Sequence, residues 1–249
     1  MKRIILILAI IFSVKSYSQD PAFTQSFMVP ETINPSFSGF YETTKAGLLY
    51  KNQQWSGFDF NLNSQYVYFD DWYPDLNSGI GVSLMNHQET FTNYSLKQLN
   101  LSWAYKVQIN YDWDKRLSIT FGFETKNFGF DNLLFEDQIN IFQNIINSNS
   151  FDPIVLAENA RYVDIGASFL FNNDNNWIGI TLRHLNRPNV SMVSQGDIPL
   201  DIFISVHASL ELPVLEYNSD SSVYFITNFM KQAKYDRFDL GFQYVFQLL

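Results

Sequence analysis

A chain of 249 residues in which 16% are charged and 17% aromatic carries too few charges to wet its whole surface, since soluble domains hold roughly a quarter charged residues. Its formal charge of −9 argues against a phosphate-binding surface, which needs clustered Lys and Arg, and therefore against nucleic acid as a partner. The absence of cysteine excludes disulfide staples and thiolate metal sites.

Residues 1–18 read as an export signal: Lys2 and Arg3, an apolar run over 4–14, and Ser16-Tyr17-Ser18 as a small-x-small cleavage site before Gln19. That run is too short to span a bilayer as a helix, which takes about 20 residues. The remaining chain holds no apolar stretch of helical spanning length, so an exported sheet protein or a barrel is expected. Residues 19–42 form an N-terminal periplasmic or plug segment, and residues 43–249 the barrel domain.

From residue 43 onward the pattern has period two. Strands are predicted at about 44–55, 60–70, 79–88, 94–110, 116–130, 161–171, 177–186, 202–213, 222–232 and 236–248. In the fourth, Leu99, Leu101, Trp103, Tyr105, Val107 and Ile109 share one face, opposite Asn100, Ser102, Ala104, Lys106 and Gln108. Leu117, Ile119, Phe121 and Phe123 oppose Ser118, Thr120, Gly122 and Glu124 in the fifth. These apolar faces carry no charge, as a lipid-facing wall requires, because Lys or Arg at the bilayer midplane costs about 2–4 kcal/mol. The fold class is thus all-β, an antiparallel transmembrane β-barrel of about ten visible strands with an N-terminal periplasmic or plug segment.

The connections at 71–78, 111–115, 172–176 and 214–221 are short and rich in Asn and Asp, which suits turns at the periplasmic end. The long ones, 131–160 and 187–201, both fall at the opposite end. Aromatic residues collect near both ends, with Trp72, Tyr73, Tyr111, Trp113 and Trp177 at the short-turn side, as headgroup girdles do. The apolar residues of loop 131–160, among them Leu133, Ile139 and Ile145, have spacings that suit a short amphipathic helix over or into the barrel.

Inward parity assigns Lys106, Glu124, Asp164, Arg183, His207, Glu211, Arg237 and Asp239 to the lumen, where charges pair across the wall or line a pore. Gly79-Ile80-Gly81 follows no strand-to-helix turn, so its glycines face a crowded lumen or permit bending rather than cradle a dinucleotide. His87, His184 and His207 are scattered and show no ligand spacing, so no metal is expected. Ser205 and His207 share a face, but no third member of a hydrolytic triad can be named, and no catalytic residue or cofactor is predicted.

The start of the exported chain adds a resemblance. Gln19-Asp20-Pro21-Ala22-Phe23-Thr24-Gln25, followed by Ile33-Asn34-Pro35-Ser36-Phe37-Ser38-Gly39, resembles the opening of the PorP/SprF family of type IX secretion system proteins. Gln54-Trp55, residues 79–84 and Phe135-Glu136-Asp137 follow in the expected order. The resemblance implies a non-enzymatic component in the outer membrane of a Gram-negative, Bacteroidetes-like cell. It would assist export or surface retention of secreted proteins such as gliding adhesins. Its implied partners are outer-membrane lipid, that cargo and the secretion motor ring. Gln19, Asp20, Pro21, Phe23, Gln25, Asn34, Pro35 and Gly39 would either seal the barrel end or touch a partner. A small-solute pore is the competing reading. Longer members of the family imply further strands.

Overall fold

The computed structural model describes residues 28–54, 61–129, 134–140, 145–146, 149–150, 159–193, 196–212 and 221–246. Ten long strands dominate: β1 (Lys45–Gln54), β2 (Asn61–Tyr73), β3 (Ser78–Glu89), β4 (Ser95–Gln108), β5 (Asp114–Asn127), β6 (Ala160–Asn172), β7 (Trp177–Arg183), β8 (Phe203–Leu212), β9 (Ser221–Gln232) and β10 (Tyr235–Phe246). Each has its counterpart among the strands expected from period two. They form one antiparallel meander in which every strand pairs with its chain neighbours.

Side-chain identity sets this register. Across β4 and β5, Leu99, Leu101 and Trp103 stand opposite Phe123, Phe121 and Ile119 on the outer face. The intervening pairs on the inner face are Gln98 with Glu124, Ser102 with Thr120 and Ala104 with Ser118. A slip of one residue would turn every polar side chain outward, so the pairing is strongly specified. Leu101 and Phe121 are each about half exposed, and the apolar outer band continues through Val67, Phe69, Val82, Leu84, Val163, Ile180, Val206, Phe238, Leu240 and Phe242. A contiguous apolar belt of that extent is untenable in water and is what hydrocarbon demands. Among the described residues no helix is long and apolar enough to cross a membrane.

The short connections at 71–78, 111–115 and 172–176 do what their Asn and Asp content predicts, while residues 214–220 of the fourth lie outside the described residues. Asn110 Oδ1 accepts from the amides of Asp112 and Trp113, and Asn173 Oδ1 from those of Asn175 and Asn176. Asn77 closes the β2–β3 turn in the left-handed region, at φ 46°. These turns lie at one end of the sheet, and the long connections at the other. In the longest of those, Ile139–Asn140 and Ile145–Ile146 pair as a two-residue hairpin after a 3₁₀ turn at Glu136–Gln138. The amphipathic helix expected there is not formed by these residues, because β-branched Ile suits an extended pairing. The rest of that helix lies outside the described residues, as do the export signal and residues 19–27.

β1 and β10 are the two edges of the sheet and share no ladder. The sheet wraps as a barrel wall around residues 28–42.

Candidate functional site, a plug docked in the lumen

The plug is built from two 3₁₀ turns, Pro30–Thr32 and Pro35–Phe37, each opened by a proline whose fixed φ suits the first helical position. Asn34 caps the second turn, its Oδ1 accepting from the Ser36 amide at 2.8 Å. Gly39 then bends the chain at φ +64°, a conformation that glycine adopts without a Cβ penalty. The Asn34-Pro35 and Gly39 of the sequence motif are therefore turn-making residues first. They also place the side chains between them against the wall.

The wall meets this segment with its smallest residues. Ser36 Oγ lies 2.7 Å from Ser168 Oγ on β6, and Ser38 Oγ 2.7 Å from Ser102 Oγ on β4. A Cβ on Gly79 would fall 2.0 Å from the Ser38 carbonyl oxygen, so β3 touches the plug backbone to backbone. On Gly179 of β7 a Cβ would fall 2.6 Å from Asn34 Nδ2. Phe37, 2% exposed, fills the space between, with Phe40 and Trp177 rings at 5.1 and 5.2 Å. Deeper in, Val29 packs with Tyr66, Tyr68, Met85 and Leu96.

Asn34 is the most deeply committed polar group of the plug. Its Nδ2 donates to the Phe169 carbonyl at 3.0 Å and lies 2.9 Å from His207 Nε2. An amide nitrogen has only hydrogens to offer, so Nε2 is the acceptor and His207 carries its proton on Nδ1. That proton is directed to Ser205 Oγ at 3.1 Å, and the serine hydroxyl donates onward to Asn228 Oδ1 at 2.8 Å. Ser205 and His207 thus share a face as expected, but as links in a buried relay that starts at the plug. Ser205 is fully buried and its proton points away from the histidine, the reverse of what a nucleophile needs.

Charged groups clamp the plug from several sides. Arg183 donates to the Thr32 carbonyl at 2.6 Å. Arg116, 1% exposed, donates to the carbonyls of Ser38 and Phe40, and its guanidinium stands 5.1 and 5.2 Å from the rings of Phe40 and Trp72. Asp70 Oδ1 accepts from the Gly39 amide at 2.8 Å. Glu31 sits 3.8 Å from Lys45, and burial pushes its carboxyl up to about 7. At the short-turn rim Lys106 binds Glu42 at 2.6 Å and Asp114 at 3.1 Å.

Of the lumen charges expected from parity, Arg183 and His207 contact the plug directly, and Lys106 anchors its exit. Arg237 pairs with Asp239 at 2.8 Å on the edge strand, and Glu211 accepts from Ser222. Glu124 and Asp164 lie elsewhere, buried with His184 in a trio whose ligand atoms are all within 4.8 Å of one another. They line a lumen cavity of about 100 Å³. Of the motif residues, Asn34, Pro35 and Gly39 are in the plug, while Gln19, Asp20, Pro21, Phe23 and Gln25 lie outside the described residues. Sequence reasoning did not single out Asp70 or Arg116; it placed Ser102 on an inner face without a partner and set His184 aside as a scattered histidine. It assigned Trp72 and Trp177 to an aromatic girdle, but both turn toward the plug, while Trp113 stacks on Phe171 at 4.4 Å. Small inward residues recurring on β3, β4, β6 and β7 were the available signal for a dock.

A family model described as type IX secretion system membrane protein PorP/SprF matches residues 15–248, nearly the whole chain. No curated protein matches it.

Proposed function

Because the chain belongs to the PorP/SprF family of type IX secretion system membrane proteins, an outer-membrane component of that machinery, we propose that it assists the export or surface retention of particular secreted proteins, gliding adhesins among them. The observation that carries this reading is the docked plug. A segment bearing the Asn34-Pro35 and Gly39 motif is held from inside by β2 through β8, at the end of the barrel where the short turns lie. Short turns face the periplasm in outer-membrane barrels, so this mouth is where motor-ring components would meet the protein. Gln19, Asp20, Pro21, Phe23 and Gln25, which precede the plug, would seal the barrel or touch a partner. A lumen packed by residues 28–42 also supports a sealed resting state over a free small-solute pore.

The chemistry of the site supports binding rather than turnover. Its buried polar groups are committed to holding the plug, through Asn34, His207, Ser205 and Asn228 on one side and Arg116 and Asp70 on the other. The test is deletion of the gene in its Bacteroidetes-type host, followed by a comparison of surface proteomes. Selective loss of one or a few large secreted proteins is expected. Normal display of every surface protein would refute the assignment.

A further inference from the structure

We propose that Glu124, Asp164 and His184 bind a divalent first-row metal ion in the lumen, with zinc as the ion their chemistry fits best. The three come from different parts of the wall: Glu124 from β5, Asp164 from β6, and His184 from the turn that follows β7. Their ligand atoms lie within 4.8 Å of one another and all three side chains are buried. Zinc takes imidazole nitrogen and carboxylate oxygen at about 2.0–2.2 Å, so atoms this close converge on a shared ion with small side-chain rotations. Calcium prefers six to eight oxygens and has no use for imidazole.

Two further features bear on the site. Asp164 has nine-tenths of its side chain buried, and its Oδ1 lies 3.0 Å from His184 Nδ1. Among the described residues this oxygen nevertheless accepts no hydrogen bond. The two form an ion pair when the imidazole is protonated, and a metal ion would replace that proton as the shared cation. Second, Glu124 and Asp164 open onto the 100 Å³ cavity, whose wall includes Asn100 and Thr181.

The backbone is shaped to the trio. His184 holds φ 59°, in the left-handed region that histidine enters more readily than most residues, and the turn is pinned by the Leu185 amide donating to Ile165 and the Arg187 amide to His184. On β5, Gly122 leaves space that a Cβ would take from Asp164 Cβ, 3.3 Å away, and from Asn100 Oδ1, 2.7 Å away. A dication shared by the two carboxylates would add to the charge compensation that His184 gives Asp164.

The experiment uses the exported chain purified in detergent without a polyhistidine tag, stripped with a chelator and titrated with zinc, with bound metal measured by elemental analysis. One zinc per chain is expected, undisplaced by excess calcium. Asp164→Asn and His184→Gln should each weaken binding by at least about tenfold, and His87→Gln should leave it unchanged. Folding of every variant is checked by its heat-modifiable migration. Absence of zinc above the detergent blank, or folded Asp164→Asn and His184→Gln proteins that bind as wild type does, overturns the proposal. Should both variants misfold, X-ray absorption of the zinc-loaded wild type decides. A single imidazole with oxygen ligands upholds the site, and any other ligand set overturns it.

Discussion

A single methyl group added at Gly79 should undock the plug. The new Cβ would sit 2.0 Å from the Ser38 carbonyl oxygen, 2.5 Å from its carbon and 2.8 Å from the Gly39 amide nitrogen. All three are backbone atoms, so no side chain can swing aside, and the plug must retreat by roughly an ångström to reach ordinary contact. That retreat strains the charge-assisted bond from the Gly39 amide to Asp70 and the Ser38–Ser102 contact. Overpacking of this kind costs about 1–3 kcal/mol, and the lost hydrogen bonds raise the total to about 3–7 kcal/mol. Each 1.4 kcal/mol is a factor of about ten in the docked population. The assay is conductance across a planar bilayer containing the purified protein. Gly79→Ala should open current steps that wild type lacks. Gly241→Ala is the matched control, because a Cβ there meets nothing within 4 Å. A second readout is oxidative cross-linking of cysteines placed at Ser38 and Ser102, which should fall in the Gly79→Ala background. A folded Gly79→Ala protein as tight as wild type, with undiminished cross-linking, would refute the backbone-contact reasoning.

Other outcomes follow from the same geometry. Asn34→Asp replaces the donor facing the Phe169 carbonyl and His207 Nε2 with an acceptor. It should cost about 2–5 kcal/mol and lower the temperature of the heat-modifiable gel shift; an unchanged transition would contradict the relay. Glu31 binds its proton more tightly when docked, near 7 against 4.5 when free, because burial disfavours the carboxylate. Docking stability is therefore full below about 4.5, falls as pH rises through that window and is lowest above about 7, a change of up to about 3 kcal/mol. Tryptic cleavage at Lys45 should accelerate from pH 5 to pH 8 relative to a Glu31→Gln variant, and a parallel profile in both proteins would remove Glu31 as the cause. Phe121→Lys, on the outer face between Leu101 and Ile165, should cost about 2–4 kcal/mol for insertion into lipid vesicles. Wild-type stability in a urea titration of that variant would count against a lipid-facing wall.

The wall was legible because lipid imposes one rule on every strand. Leu99 through Ile109 and Leu117 through Phe123 had to alternate, and the inner assignment of Glu124, Asp164, Arg183 and His207 followed from parity alone. The dock was not legible, for a physical reason. Asn34 and His207 are separated by 173 positions, and the residues that receive the plug are glycines and serines, whose value is the volume they leave empty. Gly79 and Gly81 pointed to crowding without naming the neighbour. Arg116 opens the predicted fifth strand and is inward by the same parity, but nothing in the sequence shows that its guanidinium reaches the carbonyls of Ser38 and Phe40, 78 and 76 positions away. His184 lies just past β7, where alternation no longer tells which way a side chain faces.

The plug also constrains the order in which this protein takes shape. Residues 28–42 leave the exporting channel before any part of the barrel does, yet their binding groups are spread from Asp70 to His207. The leading segment must therefore wait, solvated, until β8 has arrived, and then be enclosed as the staves are drawn around it. The plug thus gains its full set of contacts only once seven of the ten strands, β2 through β8, are in place.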